Sequence, residues 1–164
     1  MMIRRLKGIA VVGIVALLSG TLLGGEVSAQ GKAATLEPLL KAADFEKLGL
    51  KGVALAPPDA YDRVEQLGFE IASDSTMVVV LSRIGSGDSG GTLRPVVEML
   101  AKDPVAVSGV GDEAYSFLGG VAFAFRKGKA TYQMMSGLDL ANGAKPFLTK
   151  DQLAALAKVV CSRL

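Results

Sequence analysis

The chain has 164 residues, with 18 Lys and Arg against 16 Asp and Glu, no His and one Cys. Without imidazole and with a lone thiol, transition-metal sites of the His/Cys type and Ser-His catalysis have no carriers. The formal charge of +2 argues against a phosphate-neutralising surface, and no aromatic-basic platform accompanies it, so nucleic acid is not an expected partner.

The first predicted element is an export leader. Arg4, Arg5 and Lys7 precede an apolar run from Ile9 to Leu23, broken by Gly13, Ser19, Gly20 and Thr21, which is the order of a charged region and a hydrophobic region in a signal peptide. A membrane span needs about 20 consecutive apolar residues, and this run is shorter. Val27-Ser28-Ala29 supplies the small residues that a signal peptidase reads, so cleavage is expected between Ala29 and Gln30. No Cys lies in or just after the run, which excludes a lipid anchor there. Arg4, Arg5 and Lys7 against Glu26 account for the whole net charge, leaving residues 30–164 neutral. Those residues suit one domain, periplasmic or secreted, with no stable membrane insertion after cleavage.

A first helix is predicted from Thr35, with Leu36, Leu39, Leu40 and Ala43 on one side, ending at Gly49. Lys51 to Asp59, with Pro57-Pro58, reads as loop. Phe69 to Ala72 alternates, Ser73-Asp74-Ser75 reads as a turn, and Thr76 to Ile84 is a nearly unbroken β-branched apolar run, hence a central strand. After a Gly/Ser loop from Gly85 to Gly91, Thr92 is the expected cap of a helix carrying Leu93, Val96, Val97 and Leu100, which Asp103-Pro104 ends. Gly109 to Glu113 is an expected turn into a strand at Ala114 to Leu118. Val121 to Arg126 and Lys129 to Met135 alternate around Lys127-Gly128, a hairpin signature that puts Phe123 and Phe125 on one face, and Tyr132 and Met134 on one face of its partner. Thr149 to Gln152 is a capping box opening a C-terminal helix. That helix places Cys161 beside Leu153, Leu156, Ala157 and Val160 at helical spacing, as a buried structural thiol. The fold class is α+β, a mostly antiparallel sheet of about five strands with helices packed on one face.

Two motifs fall in the Gly85–Gly91 loop. Residues 87–91 read Gly-Asp-Ser-Gly-Gly, the setting of a nucleophilic serine in chymotrypsin-like proteases, but no His exists to take the proton from Ser89, and no Lys is placed near it. Gly85-x-Gly87-x-x-Gly90 lies between a strand and a helix, as a dinucleotide fingerprint does, with Asp112 and Glu113 a little over twenty residues on. The helix begins late and the downstream chain reads as a hairpin, so no cofactor is expected. Asp112 and Glu113 lack the spaced acidic ladder of a calcium loop. The candidates for a binding loop are therefore Ser86, Asp88, Ser89, Asp112 and Glu113, with no catalytic or metal residue assigned. The pair Asp59 and Asp62 follows Pro57-Pro58 on an expected surface loop.

Leu39-Leu40-Lys41-Ala42-Ala43-Asp44-Phe45-Glu46-Lys47-Leu48-Gly49, Gly109-Val110-Gly111-Asp112-Glu113-Ala114-Tyr115, Phe125-Arg126-Lys127-Gly128 and Leu153-Ala154-Ala155-Leu156-Ala157 together resemble a loose group of small exported bacterial domains of unknown function, many of them lipoproteins. The chain differs from many members in lacking a lipid-bearing cysteine and a cysteine pair in the sheet. The resemblance implies an envelope-located α+β module without assigned catalysis. The expected function is non-enzymatic binding of an envelope protein or a small apolar ligand. The alternatives are a small enzyme built on carboxylates and lysines, and a structural or assembly role in the envelope.

Overall fold

Strand alternation through the middle of the chain resolves into one antiparallel sheet of seven strands, wider than the five the sequence suggests. A computed structural model describes residues 36, 39–57, 65–86 and 92–164, and Thr35–Leu164 forms one unit. The expected cleavage site at Ala29 and Gln30 lies outside the described residues, as do Asp88 and Ser89. The elements are α1 (Ala42–Glu46), β1 (Val53–Leu55), β2 (Gln66–Ile71), β3 (Thr76–Ser86), α2 (Arg94–Leu100), β4 (Val105–Ala106), β5 (Glu113–Phe117), β6 (Ala122–Lys127), β7 (Ala130–Ser136), β8 (Leu138–Asp139), β9 (Lys145–Pro146) and α3 (Lys150–Arg163). The large sheet runs β1-β2-β3-β7-β6-β5-β4, and β8 pairs with β9 apart from it. The additional strands β1, β4, β8 and β9 have two or three residues each. Segments so short complete no period-two pattern and are made by their partners' backbones.

Strand β3 is central, as its two apolar faces predict: it pairs with β2 on one side and β7 on the other. Two register shifts bend it. Phe69 faces Val79 but Glu70 faces Met77, so Val78 is an extra residue, and Val78 and Val79 are both fully buried. Between Arg83 and Gly85 the register with β7 shifts again, consistent with the curl a bulge gives a long strand.

The β6–β7 hairpin brings together the predicted face, with Phe123 opposite Met134 and Phe125 opposite Tyr132. Phe125 stacks on Tyr132 with ring centroids 5.4 Å apart. The turn is one residue later than expected: Lys127 pairs with Ala130, leaving Gly128-Lys129 as the loop. The capping box of α3 forms as read. Thr149 N–H donates to Gln152 Oε1 at 2.9 Å, and Gln152 N–H donates to Thr149 Oγ1 at 3.3 Å. Leu153, Leu156, Ala157 and Val160 of α3 are buried against Phe123, Phe125 and Leu81 in one core.

The first helix is much shorter than the predicted span from Thr35. Leu36, Leu39 and Leu40 are buried as expected, but Ala43 is exposed, and Asp44 and Phe45 take the interior positions. Helix α1 begins only after Lys41, whose backbone is extended. Phe45 meets Phe69 of β2 at 4.7 Å between centroids. The buried carboxylate is satisfied locally and at long range: Lys41 N–H donates to Asp44 Oδ2 at 2.9 Å, and the Arg163 guanidinium donates to both oxygens at 2.6 and 2.8 Å. Arg163 Nη1 also donates to Leu39 O at 3.0 Å. Such a forked contact is both directional and charge-assisted.

Helices do not all lie on one face. Leu93, Val97, Phe117, Ala122, Ala124 and Met135 are buried but stand outside the main core. On β5 and β6, Phe117, Ala122 and Ala124 alternate with Ala114, Phe123 and Phe125 of that core, so period-two geometry puts them on the opposite face. Helix α2, which packs on β5, covers that second face. Thr92 does not cap it; Leu93 is the cap residue and no side chain of its own serves there.

The hydrogen bonds from Arg163 hold the Asp44 carboxyl below its usual range against the opposing effect of burial. A carboxyl depressed in the folded state contributes stability above its unfolded pKa and loses it as pH falls through the folded one. Urea unfolding is expected to show declining stability through and below the ordinary carboxylate range, with a shallower decline in Asp44→Asn. At neutral pH, Arg163→Ala leaves a buried carboxylate without its main partner and is expected to cost about 3 kcal/mol.

Candidate functional site

Of the five candidate residues, Asp112 and Glu113 are described in full, and each is held in place by backbone. Gly111 turns the chain there with φ +57°, and a Cβ at that position would run into the Arg126 carbonyl oxygen, so glycine is needed twice over. Asp112 N–H donates to Arg126 O at 2.8 Å. Its side chain accepts the Gly128 N–H at 2.7 Å, and Lys127 Nζ lies 3.8 Å from the other oxygen. Asp112 thus braces the turn of the β6–β7 hairpin from the neighbouring strand.

Glu113, one residue on, points its carboxylate to the opposite side. Its Oε2 accepts the Leu93 N–H at 2.7 Å, and its Oε1 accepts the Tyr115 hydroxyl proton at 3.0 Å. Arg126 Nε is 3.8 Å from Oε2, since Glu113 and Arg126 are register partners. The carboxylate therefore does what Thr92 was expected to do: it takes an otherwise unpaired amide at the start of α2, where negative charge is also favoured by the helix dipole. Burial first, and the Glu113 hydrogen bond second, raise the Tyr115 phenol above its ordinary value. With their oxygens committed to amides, a phenol and cations, Asp112 and Glu113 do not converge as a metal pair. Among the described residues no group of three or more His, Cys, Asp and Glu side chains comes together.

Ser86 ends β3, its backbone paired with Ala130 of β7. The strand thus takes in the first two residues of the expected Gly/Ser loop, Gly85 and Ser86; Asp88 and Ser89 fall outside the described residues. Cys161 is a free, half-buried thiol, with its Sγ close to Gly111. Burial raises its pKa, opposed in part by Lys127.

The aromatic side chains that would line an apolar pocket are used in the core: Phe45, Phe69, Phe123 and Phe125 are all 1 % exposed or less. Among the described residues, two open depressions lie beside α2 and β4. A shallow one of about 510 Å³ runs along Arg94, Glu98, Ala101, Lys102 and Pro104. A smaller one of about 230 Å³ is lined by Ser116, Gly119, Gly120 and Lys150, and shares Asp103 and Val105 with the first. Neither was legible in the sequence, because β4 and the turn at Leu118–Gly120 carry no periodic signal, and Lys150 is a single solvated cation among many.

Compared with protein-family models, with curated proteins and with solved structures, the chain shows no match.

Two outcomes follow from these contacts. Glu113→Ala is expected to destabilise the protein by about 1–2 kcal/mol, the range for a lost cap, with hydrogen exchange accelerating at Leu93 and through α2 more than in β6 and β7. Iodoacetamide is expected to alkylate Cys161 at neutral pH more slowly than it does a free cysteine, because the thiolate is the nucleophile.

Proposed function

We propose that the domain is an exported, non-enzymatic binding module that docks on another protein of the cell envelope through the outer side of α2. The observation carrying this reading is a pair of apolar side chains left in solvent on a seven-residue helix. Leu93 and Val97 bury one side of the segment against the sheet, whereas Val96 is 45 % and Met99 70 % exposed, one turn apart on the side turned away. A flexible thioether beside a branched aliphatic residue suits a protein surface that must adapt to its partner. The export leader expected from the sequence of residues 1–29 supports an envelope address. The structural use of Asp112 and Glu113, each oxygen of which has a partner, weighs against the carboxylate-based enzyme, and the consumption of the Phe side chains in the core weighs against an apolar ligand.

A photo-crosslinking residue introduced at Met99 is expected to form adducts with an envelope protein in intact cells, and Val96→Asp to abolish them without changing the circular dichroism spectrum. The same probe at Lys158, exposed on α3, serves as control. Equal adduct formation from the two positions would refute the docking surface.

A further inference from the structure

The thioethers of the chain differ sharply in their access to solvent. Of the six methionines, Met1 and Met2 belong to the leader expected from the sequence, and the other four fall among the described residues. Met134 and Met135 of β7 are buried. Met77, near the start of β3, is half-buried and packs its Sδ over Gly68, where a Cβ would stand only 3.3 Å from it. Met99 is the one of these four that stands in solvent, 70 % exposed on the outer side of α2. The remaining sulfur, that of Cys161, is half-buried on α3.

A thioether reacts with a peroxide according to how freely the oxidant reaches it, and the product is a polar sulfoxide. One Sδ lone pair attacks a peroxide oxygen, the O–O bond breaks and an S–O bond forms. The transferred oxygen gives its proton to the departing hydroxide, which leaves as water; sulfur loses two electrons and the peroxide gains them. Inside a core this change disrupts packing, but Met99 is no part of the buried side of α2. Leu93 and Val97 hold that side, the Glu113 carboxylate takes the Leu93 amide, and Arg94 Nε meets Glu98 Oε1 across one turn at 2.6 Å. The helix therefore keeps its fastenings when Met99 is oxidised.

We propose that Met99 is a reversible oxidation site: a hydroperoxide converts it to the sulfoxide ahead of the other three methionines and without unfolding, and the sulfoxide switches off docking on α2. The inference rests on the docking surface proposed above and supplies that surface with a control. Oxidation puts a strong hydrogen-bond acceptor where the partner meets an apolar thioether beside Val96. Burying that oxygen with no donor opposite weakens association by about tenfold or more. Methionine sulfoxide reductases, one for each epimer, reverse the change, taking the oxygen off as water while two thiols become a disulfide.

The test has two arms. The purified protein is treated with hydrogen peroxide and its peptides are mapped by mass spectrometry, which reads Cys161 separately. Sulfoxide is expected at Met99 about tenfold faster than at Met77, Met134 or Met135, with the circular dichroism spectrum unchanged and with the thioether restored by the two reductases and dithiothreitol. In the second arm a photo-crosslinking residue sits at Val96 in intact cells, which receive a brief peroxide pulse before irradiation. Adducts are expected to fall about tenfold in the chain that keeps Met99, whereas in Met99→Leu the yield, whatever its starting level, is the same with and without the pulse. The proposal is overturned if another methionine is oxidised as fast as Met99, if oxidation of Met99 costs the spectrum, if the reductases do not restore it, or if the pulse affects both chains alike. A complete lack of adducts before the pulse, from probes at Val96 and Met99 alike, instead brings down the docking surface itself and the switch with it, whatever the peptide map shows.

Discussion

The pairing of β3 with β7 is the contact on which the architecture depends. It joins a meander of β1, β2 and β3 to a second one of β4, β5, β6 and β7, and it puts Leu81 opposite Met134 and Val79 opposite Ser136 across a gap of about fifty residues in sequence. Each meander alone would expose a long apolar edge, a template for unwanted strand pairing. Joined, they leave at the two ends only β1 and β4, of three and two residues. The core formed by α1 and α3 then spans the seam, with Phe69 and Val79 from one side and Phe123 and Phe125 from the other.

Charged groups at the margins of this sheet act mainly as architecture. Asp44 and Arg163 join α1 to the end of α3, so that residues near the two ends of the described chain are tied by a forked contact. Asp112 and Glu113, adjacent in sequence, serve different faces: one braces the β6–β7 turn and the other starts α2. Strand alternation alone sends their side chains apart, which is why an acidic dipeptide that looks like a site behaves as two separate fastenings. The Nε groups of Arg83 and Arg126 are buried without a hydrogen bond among the described residues. Both guanidiniums keep a carboxylate nearby, Glu65 for Arg83 and Glu113 for Arg126.

The segment between β3 and β5 carries the surfaces that the fold does not need for itself. Helix α2 has an apolar outer side, and the chain that leaves it at Asp103 and enters β4 forms one wall of the smaller depression. Placing both on an inserted segment leaves the seam and the main core undisturbed, in keeping with the general use of connecting segments for binding on a rigid scaffold.

The sequence by itself determined the antiparallel α+β class, the central position of β3, the β6–β7 hairpin with its aromatic face, and the capped C-terminal helix. Each rests on local periodicity or on a cap whose partners lie within a few residues, so the information is contained in the segment. Tertiary structure decided the width of the sheet, since β1 and β4 are too short to have a period of their own. It decided the shortening of the first helix, where the burial of Asp44 depends on an arginine 119 residues away, and it put α2 on the second face under a cap supplied by Glu113 rather than Thr92. The depression lined by Ser116 and Lys150 was invisible for the same reason: its walls come from three separate stretches of chain that only folding brings together.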